Sequence, residues 1–477
     1  MSTTLPATHA ARNASTQPFW RRMLAHASFP RKPARKAPTE RDWKAIEGLL
    51  ADAAQGGDGE AAARDRMVRL LDFHTAADDA GKQRLFKHLT DVHAPDTGRI
   101  GQAIDRYLAA ADANTRSLAE TQLRDALDTP RIQILSQCNL LPDGVHALVR
   151  MRADLIRLDP RGEQFAPLDR DLVRLFHDWF DVGFLELTRI GWGSPAALLE
   201  KLIQYEAVHE IKSWTDLRNR LDSDRRCYAF FHPRMENEPL IFVEVALLRD
   251  VANSVQTLLD ESQPTLDPAT ATVAVFYSIS NAQAGLKGVS LGEFLIKRVV
   301  EQLMREYPRL RTFITLSPLP GFTRALARTL DTEEGVARIP ASVAPLLKGA
   351  TDGQSRIDTA VAAAQAGTDA PPAKDIRRWL TGECARYLLT DKRGQHPLDP
   401  VARFHFANGA SLAQIHWMAD TSARGLRQSA GLMVNYLYRL DEIDTNHDAY
   451  ARDGSLAASS EVKRQLGRTN GTSRRRT

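Results

Sequence analysis

From Glu40 to about Phe180 the apolar residues recur every three or four positions. Trp43, Ile46, Leu49 and Leu50 share one face, as do Ile100, Ile104 and Leu108, and later Leu172, Leu175, Phe176 and Trp179. This spacing predicts helices throughout. "APDTG" and "LDTPR" read as breaks, with Asp and Thr as caps. The period changes after Gly183. "FLELTRIGW" predicts a strand, and Ser194-Pro195 an N-cap followed by proline at the first helical position. The helix that follows is expected from Pro195 to about Ile211, burying Leu198, Leu199, Leu202 and Ile203. "CYAFFHP" and "LIFVEVALL", joined by "RMENEP", predict a hairpin. Glu244 alternates with Val243 and Val245 and is expected to face solvent.

"ATVAVFYSI" predicts another strand, then a polar glycine-bearing loop, "NAQAGLKGVSLG", and an amphipathic helix. "RTFITLSPL" is one strand more, ending in "SPLPGF". Residues 331–373, rich in Ala, Gly and Asp, read as a helical insertion or a mobile excursion. The stretch "FHFANGASLAQIHWMADTSARGLRQSAGLMVNYLYRL" reads loop, strand, helix, strand. The order predicts a multidomain α and α/β chain: an all-helical domain, then a domain built on a mixed sheet. The expected divisions are a disordered or leader segment 1–39, a helical domain 40–183, a catalytic domain 184–455, and a basic tail 456–477. The helical domain offers no catalytic cluster, so packing or self-association is its expected use.

Composition narrows the classes. At 477 residues the chain is long enough for two or three domains. No apolar run approaches the roughly 20 residues that cross a bilayer. The 63 basic and 59 acidic residues leave +4, much of it near the two ends, which predicts no nucleic-acid surface. Cys138, Cys227 and Cys384 lie far apart without a CxxC, and HExxH is absent, so neither a disulfide framework nor a dedicated metal is expected. Residues 1–39 hold no acidic residue. They read as the leader of a cytoplasmic bacterial protein or as a transit peptide to the mitochondrial matrix.

The candidate chemistry lies in the glycine loop. A loop at the carboxyl end of a strand that opens a helix turns backbone N–H groups outward, a ready place for pyrophosphate. "GVSLG" at 288–292 also matches G-x-S-x-G, which would make Ser290 a hydrolase nucleophile. In that motif, however, the strand ends almost at the serine, whereas here a loop intervenes. Gln283, Lys287 and Gly288 resemble the coenzyme A loop of GNAT acetyltransferases, although the Q-x-x-G-x-G/A spacing is missing. Four longer blocks, "FFHPRMENEPLIFVEVAL", "VFYSISNAQAGLKGVSLGEFLIKRVV", "FITLSPLPGF" and "PVARFHFANGASLAQIHWMAD", resemble the malonyl-CoA decarboxylase family from about Phe184 to Leu440.

That resemblance implies a helical domain before an acetyltransferase-like catalytic domain, in a homo-oligomer (dimer or tetramer). It implies conversion of malonyl-CoA to acetyl-CoA and CO2, with no cofactor beyond the coenzyme A of the substrate. It assigns coenzyme binding to Lys287, Gly288, Val289, Ser290, Leu291, Gly292 and Glu293, with Ile296 on the helix behind. It makes His405 the proton donor and Ser317 the carboxylate partner and proton acceptor. A histidine suits this because its ordinary pKa of about 6.5 lies near working pH. Asn435 and Tyr438 are candidate supports for the pair. A coenzyme A-dependent acyltransferase, a serine hydrolase using Ser290 and a non-enzymatic acyl-CoA binder are the alternatives.

Overall fold

The structure is a computed structural model and describes residues 36–57, 59–222, 224–289, 295–367 and 371–470. Helices fill the chain from Glu40 to Trp179. The first, Glu40–Gln55, is closed by a capping box between Thr39 and Asp42 and buries Trp43, Ile46, Leu49 and Leu50. Asp96 caps Thr97–Ala109, and Thr129 caps Pro130–Ser136 with proline at N1, so both expected breaks are helix starts. Each such cap is worth about 1 kcal/mol. The Ile104 and Leu108 stripe stays exposed, because this helix packs mainly on the next one, Ala113–Leu127.

Among the described residues the main sheet has seven strands: β1 Glu186–Ile190, β2 Arg225–Phe231, β3 Ile241–Leu248, β4 Val273–Asn281, β5 Thr312–Thr315, β8 Ser411–His416 and β9 Met433–Tyr438. A small hairpin, β6 Lys392–Arg393 with β7 His396–Pro397, stands apart. The sheet order is β1-β2-β3-β4-β5-β9-β8. Only β4 and β5 run parallel, across the crossover helix Leu295–Glu306. One sheet face, with Tyr228, Phe230, Val243, Val245 and Phe276, continues into the apolar core of the helical region without a break. Cys227, Ala229 and Phe242 on the other face pack on the helix Ala196–Tyr205.

Several expectations need correction. The helix expected to reach Ile211 ends at Tyr205, because the Glu206 carboxylate turns back to accept from the Val208 and His209 amides. Pro195 is its N-cap, while Ser194 Oγ accepts from Gly191 N. Glu244 does alternate with the valines, but its face is roofed rather than wet. It is 1% exposed and meets Arg220, which also binds Asp216. Burial pushes the Glu244 carboxyl up to about 8. The loop expected around "FHFANG" is mostly a helix, Pro400–Ala407, with Asp399 as N-cap. Residues 456–477, expected as a tail, contain the helix Ser460–Asn470, which lies along Pro371–Leu389 and buries Val462. Between 331 and 373 the chain forms packed helices, among them Gly353–Ala366. No helix of the described residues is long and apolar enough to cross a membrane.

Candidate active site

The parallel pairing of β4 with β5 ends at Phe276 and Thr315, and the site is built just beyond it. Beyond β5 the chain stays pinned to β9: Ser317 N donates to Val434 O at 2.8 Å, and Val434 N to Ser317 O at 3.0 Å. Pro318 follows at once and restricts the backbone. His405 arrives from the last turn of Pro400–Ala407, and Tyr438 ends β9.

These three side chains meet. His405 Nε2 lies 3.0 Å from Ser317 Oγ, and its Nδ1 lies 2.7 Å from the Tyr438 hydroxyl. Ser317 donates its own proton to Thr315 Oγ1 at 2.8 Å, and that oxygen also accepts from Tyr436 N at 3.0 Å. His405 is 2% exposed, with its ring stacked on Tyr436 at 4.4 Å. Burial pushes the imidazole down to about 3, so the free chain holds it neutral at pH 7, and the ordinary value of about 6.5 does not apply. A neutral imidazole carries one N–H. The tautomer follows the neighbours: with the Tyr438 hydroxyl donating to Nδ1, that N–H sits on Nε2 facing Ser317, and with Nδ1 donating, Nε2 accepts there.

Two cavities join at this point. One, of about 260 Å³, is lined by Ser317 and His405 together with Val208, Phe276, Ile279 and Val401. The other, of about 500 Å³, is lined by Lys287, Gly288 and Val289 of the glycine loop and by Ile156 of the helical region. Asn281, the last residue of β4, and Phe404 line both. The result is a trench from the loop to the Ser317–His405 pair. Glu206 fixes the wall at Val208, since it also accepts from Ser278 Oγ of β4 at 2.8 Å.

The candidates divide as follows. Lys287, Gly288 and Val289 line the outer cavity. Ser290, Leu291, Gly292 and Glu293 lie outside the described residues. Ile296 is buried in the core, and Leu295 is the cavity-lining residue of that helix. Tyr438 touches His405, whereas Asn435 lies one layer away. It donates to Thr315 O and pairs with His416 Nε2. Thr315, Tyr436, Asn281 and Arg152 went unnoticed in the sequence. Only Thr315 had a signal: it stands two residues before Ser317, on the same strand face. Among the described residues no three His, Cys, Asp or Glu stand together as metal ligands.

A family model described as malonyl-CoA decarboxylase C-terminal domain matches residues 183–476, and one described as malonyl-CoA decarboxylase N-terminal domain matches residues 93–180. Malonyl-CoA decarboxylase, mitochondrial, of Mus musculus is 35% identical over 418 residues, spanning 81% of this chain and 82% of that protein. The same-named protein of Anser anser anser is 35% identical over 404 residues, 80% of each. A crystal structure of malonyl-CoA decarboxylase from Rhodopseudomonas palustris superposes with a TM-score of 0.79 at 41% identity, covering 90% of this chain and 100% of that one. One from Agrobacterium vitis gives 0.79 at 40% identity, covering 89% and 100%.

Proposed function

The chain belongs to the malonyl-CoA decarboxylase family, and on that premise we propose that it converts malonyl-CoA to acetyl-CoA and CO2 through an enolate protonated by His405. The observation that carries this reading is the buried Ser317–His405 contact, in a cavity that shares Asn281 and Phe404 with the cavity of the glycine loop. Coenzyme A would lie along the outer cavity, with Lys287 near its phosphates, and the three-carbon acyl end would reach the inner one.

The inner cavity is mostly apolar, and among the described residues neither Lys nor Arg lines it. A carboxylate there loses its water with no lysine or arginine to take its place, which favours its departure as neutral CO2. The same negative charge raises the proton affinity of His405, so the substrate enters together with one proton. Ser317 turns its hydroxyl from Thr315 to donate to the carboxylate and holds it out of the thioester plane, aligning the breaking bond with the carbonyl π system. The C–C bond breaks, its electron pair passes into the thioester as the enolate, and CO2 leaves. His405 Nε2–H then protonates C2, giving acetyl-CoA and a neutral imidazole. The thioester is the electron sink, so the reaction requires no other cofactor.

An acyl-transfer or hydrolytic role for Ser317 would need His405 to take the serine's proton. It would also need a partner to stabilise the imidazolium, and here Nδ1 rests on a tyrosine hydroxyl instead of a carboxylate. Product analysis tests the reading. Purified chain given malonyl-CoA, without additives, should yield CO2 and acetyl-CoA in equal amounts. Free coenzyme A with malonate would mark a hydrolase, and intact substrate at high enzyme concentration would remove the proposal.

A further inference from the structure

The helical region reaches the coenzyme loop through one buried cation. Arg152, on the helix Gly144–Leu158, has a side chain only 4% exposed. Its Nε donates to Asp169 Oδ1 at 2.8 Å. Its Nη1 donates to two loop carbonyls, Gly285 O at 2.7 Å and Lys287 O at 2.8 Å. Loop and helix also touch backbone to backbone: a Cβ on Gly285 would stand 1.8 Å from Val149 O, so only glycine fits there. From the opposite side Gln283 Nε2 donates to Pro239 O at 3.0 Å. The loop is thus held between the helical region and the turn of the β2–β3 hairpin.

This clamp has a directional consequence. A trans peptide is planar, with its C=O and N–H pointing opposite ways. With the Lys287 carbonyl drawn to Arg152, the N–H of Gly288 points away from it. Gly288 lines the outer cavity and has φ +80°, a conformation that glycine adopts at little cost. Resting on the function proposed above, we propose that Arg152 is a positioning residue for coenzyme A: by fixing the Lys287–Gly288 peptide, it aims a loop N–H at the pyrophosphate. Arginine suits the task because its fork spans Asp169 and the carbonyls from separate nitrogens, which a single ammonium does not.

The test uses the full chain with two substrates, malonyl-CoA and malonyl-pantetheine, the latter lacking the pyrophosphate. Arg152→Gln should raise KM for malonyl-CoA by about tenfold or more with kcat nearly unchanged, and leave kcat/KM for malonyl-pantetheine at the parental value. Arg152→Lys should recover part of the loss, and Asp169→Asn should show a smaller rise. If Arg152→Gln does not fold, the other two variants carry the same comparison. An equal loss on both substrates would assign Arg152 to the fold alone, and an unchanged KM would remove the clamp; either result overturns the proposal. Should the parental chain release no CO2, the functional reading falls. The clamp is then still decided by the variants' affinity for coenzyme A against pantetheine.

Discussion

The two ends of the trench are made differently. The outer end is a wide cavity lined by the glycine loop, with an exposed lysine and a loop pinned from two sides. The inner end is about half its volume and is built from side chains: Ser317, His405 and Tyr438, each buried and each on another's hydrogen bond. A nucleotide tail is common to many substrates and can be held by peptide N–H groups. Choosing which bond breaks requires a proton at one place and a cavity that excludes water. On the function proposed, binding and chemistry would occupy separate parts of the chain, which mutation should separate.

The largest separation is expected at His405. His405→Asn should lower kcat on the order of 10³-fold, read as CO2 release, while coenzyme A affinity by calorimetry holds. A fall in both would merge the two ends. Ser317→Ala should lower kcat by ~10²-fold with little change in KM. Lys287→Ala should act in reverse, raising KM about fivefold with kcat unchanged, and high salt should shrink the difference. The smallest effect concerns acid. Burial holds His405 at about 3 and His209, beside the cavity-lining Val208, at about 4, both below the unfolded value of about 6.5. An unfolded chain therefore takes up protons first as pH falls. The stability these groups contribute is complete above about pH 6.5 and is lost progressively towards pH 4 and below. Among the described residues no histidine lines the outer cavity. Hydrogen exchange between pH 7 and 4.5 should loosen β9 before the 283–289 loop, and equal loosening would count against the contrast.

The sequence was readable where local pattern decides the structure. Helical spacing marked Trp43 to Leu50, aromatic residues marked β2, and β-branched runs marked β3 and β4, because each element answers to neighbours a few residues away. His405 was marked only by the resemblance. Its helix begins at Asp399-Pro400, a helix start of the ordinary kind, but the Asn408-Gly409 that follows suggests a loop. What covers a sheet face is not a local property, so Glu244 was taken for a surface residue. Nor is a depressed imidazole, since the rings of Tyr436 and Tyr438 that bury His405 come from a strand more than twenty residues later. Arg152 left no local mark because its partners lie on a loop 133 and 135 residues away.

The ladder between Ser317 and Val434 has a consequence for how the enzyme comes into being. The Thr315 hydroxyl that orients the serine is itself held by a main-chain amide 121 residues further on. Zipping β5 to β9 and assembling the reactive pair are thus one kinetic event, placed late by the entropy of closing so large a loop. During refolding from denaturant, far-UV ellipticity should return well before turnover does, and turnover should follow whatever probe reports that final strand pairing.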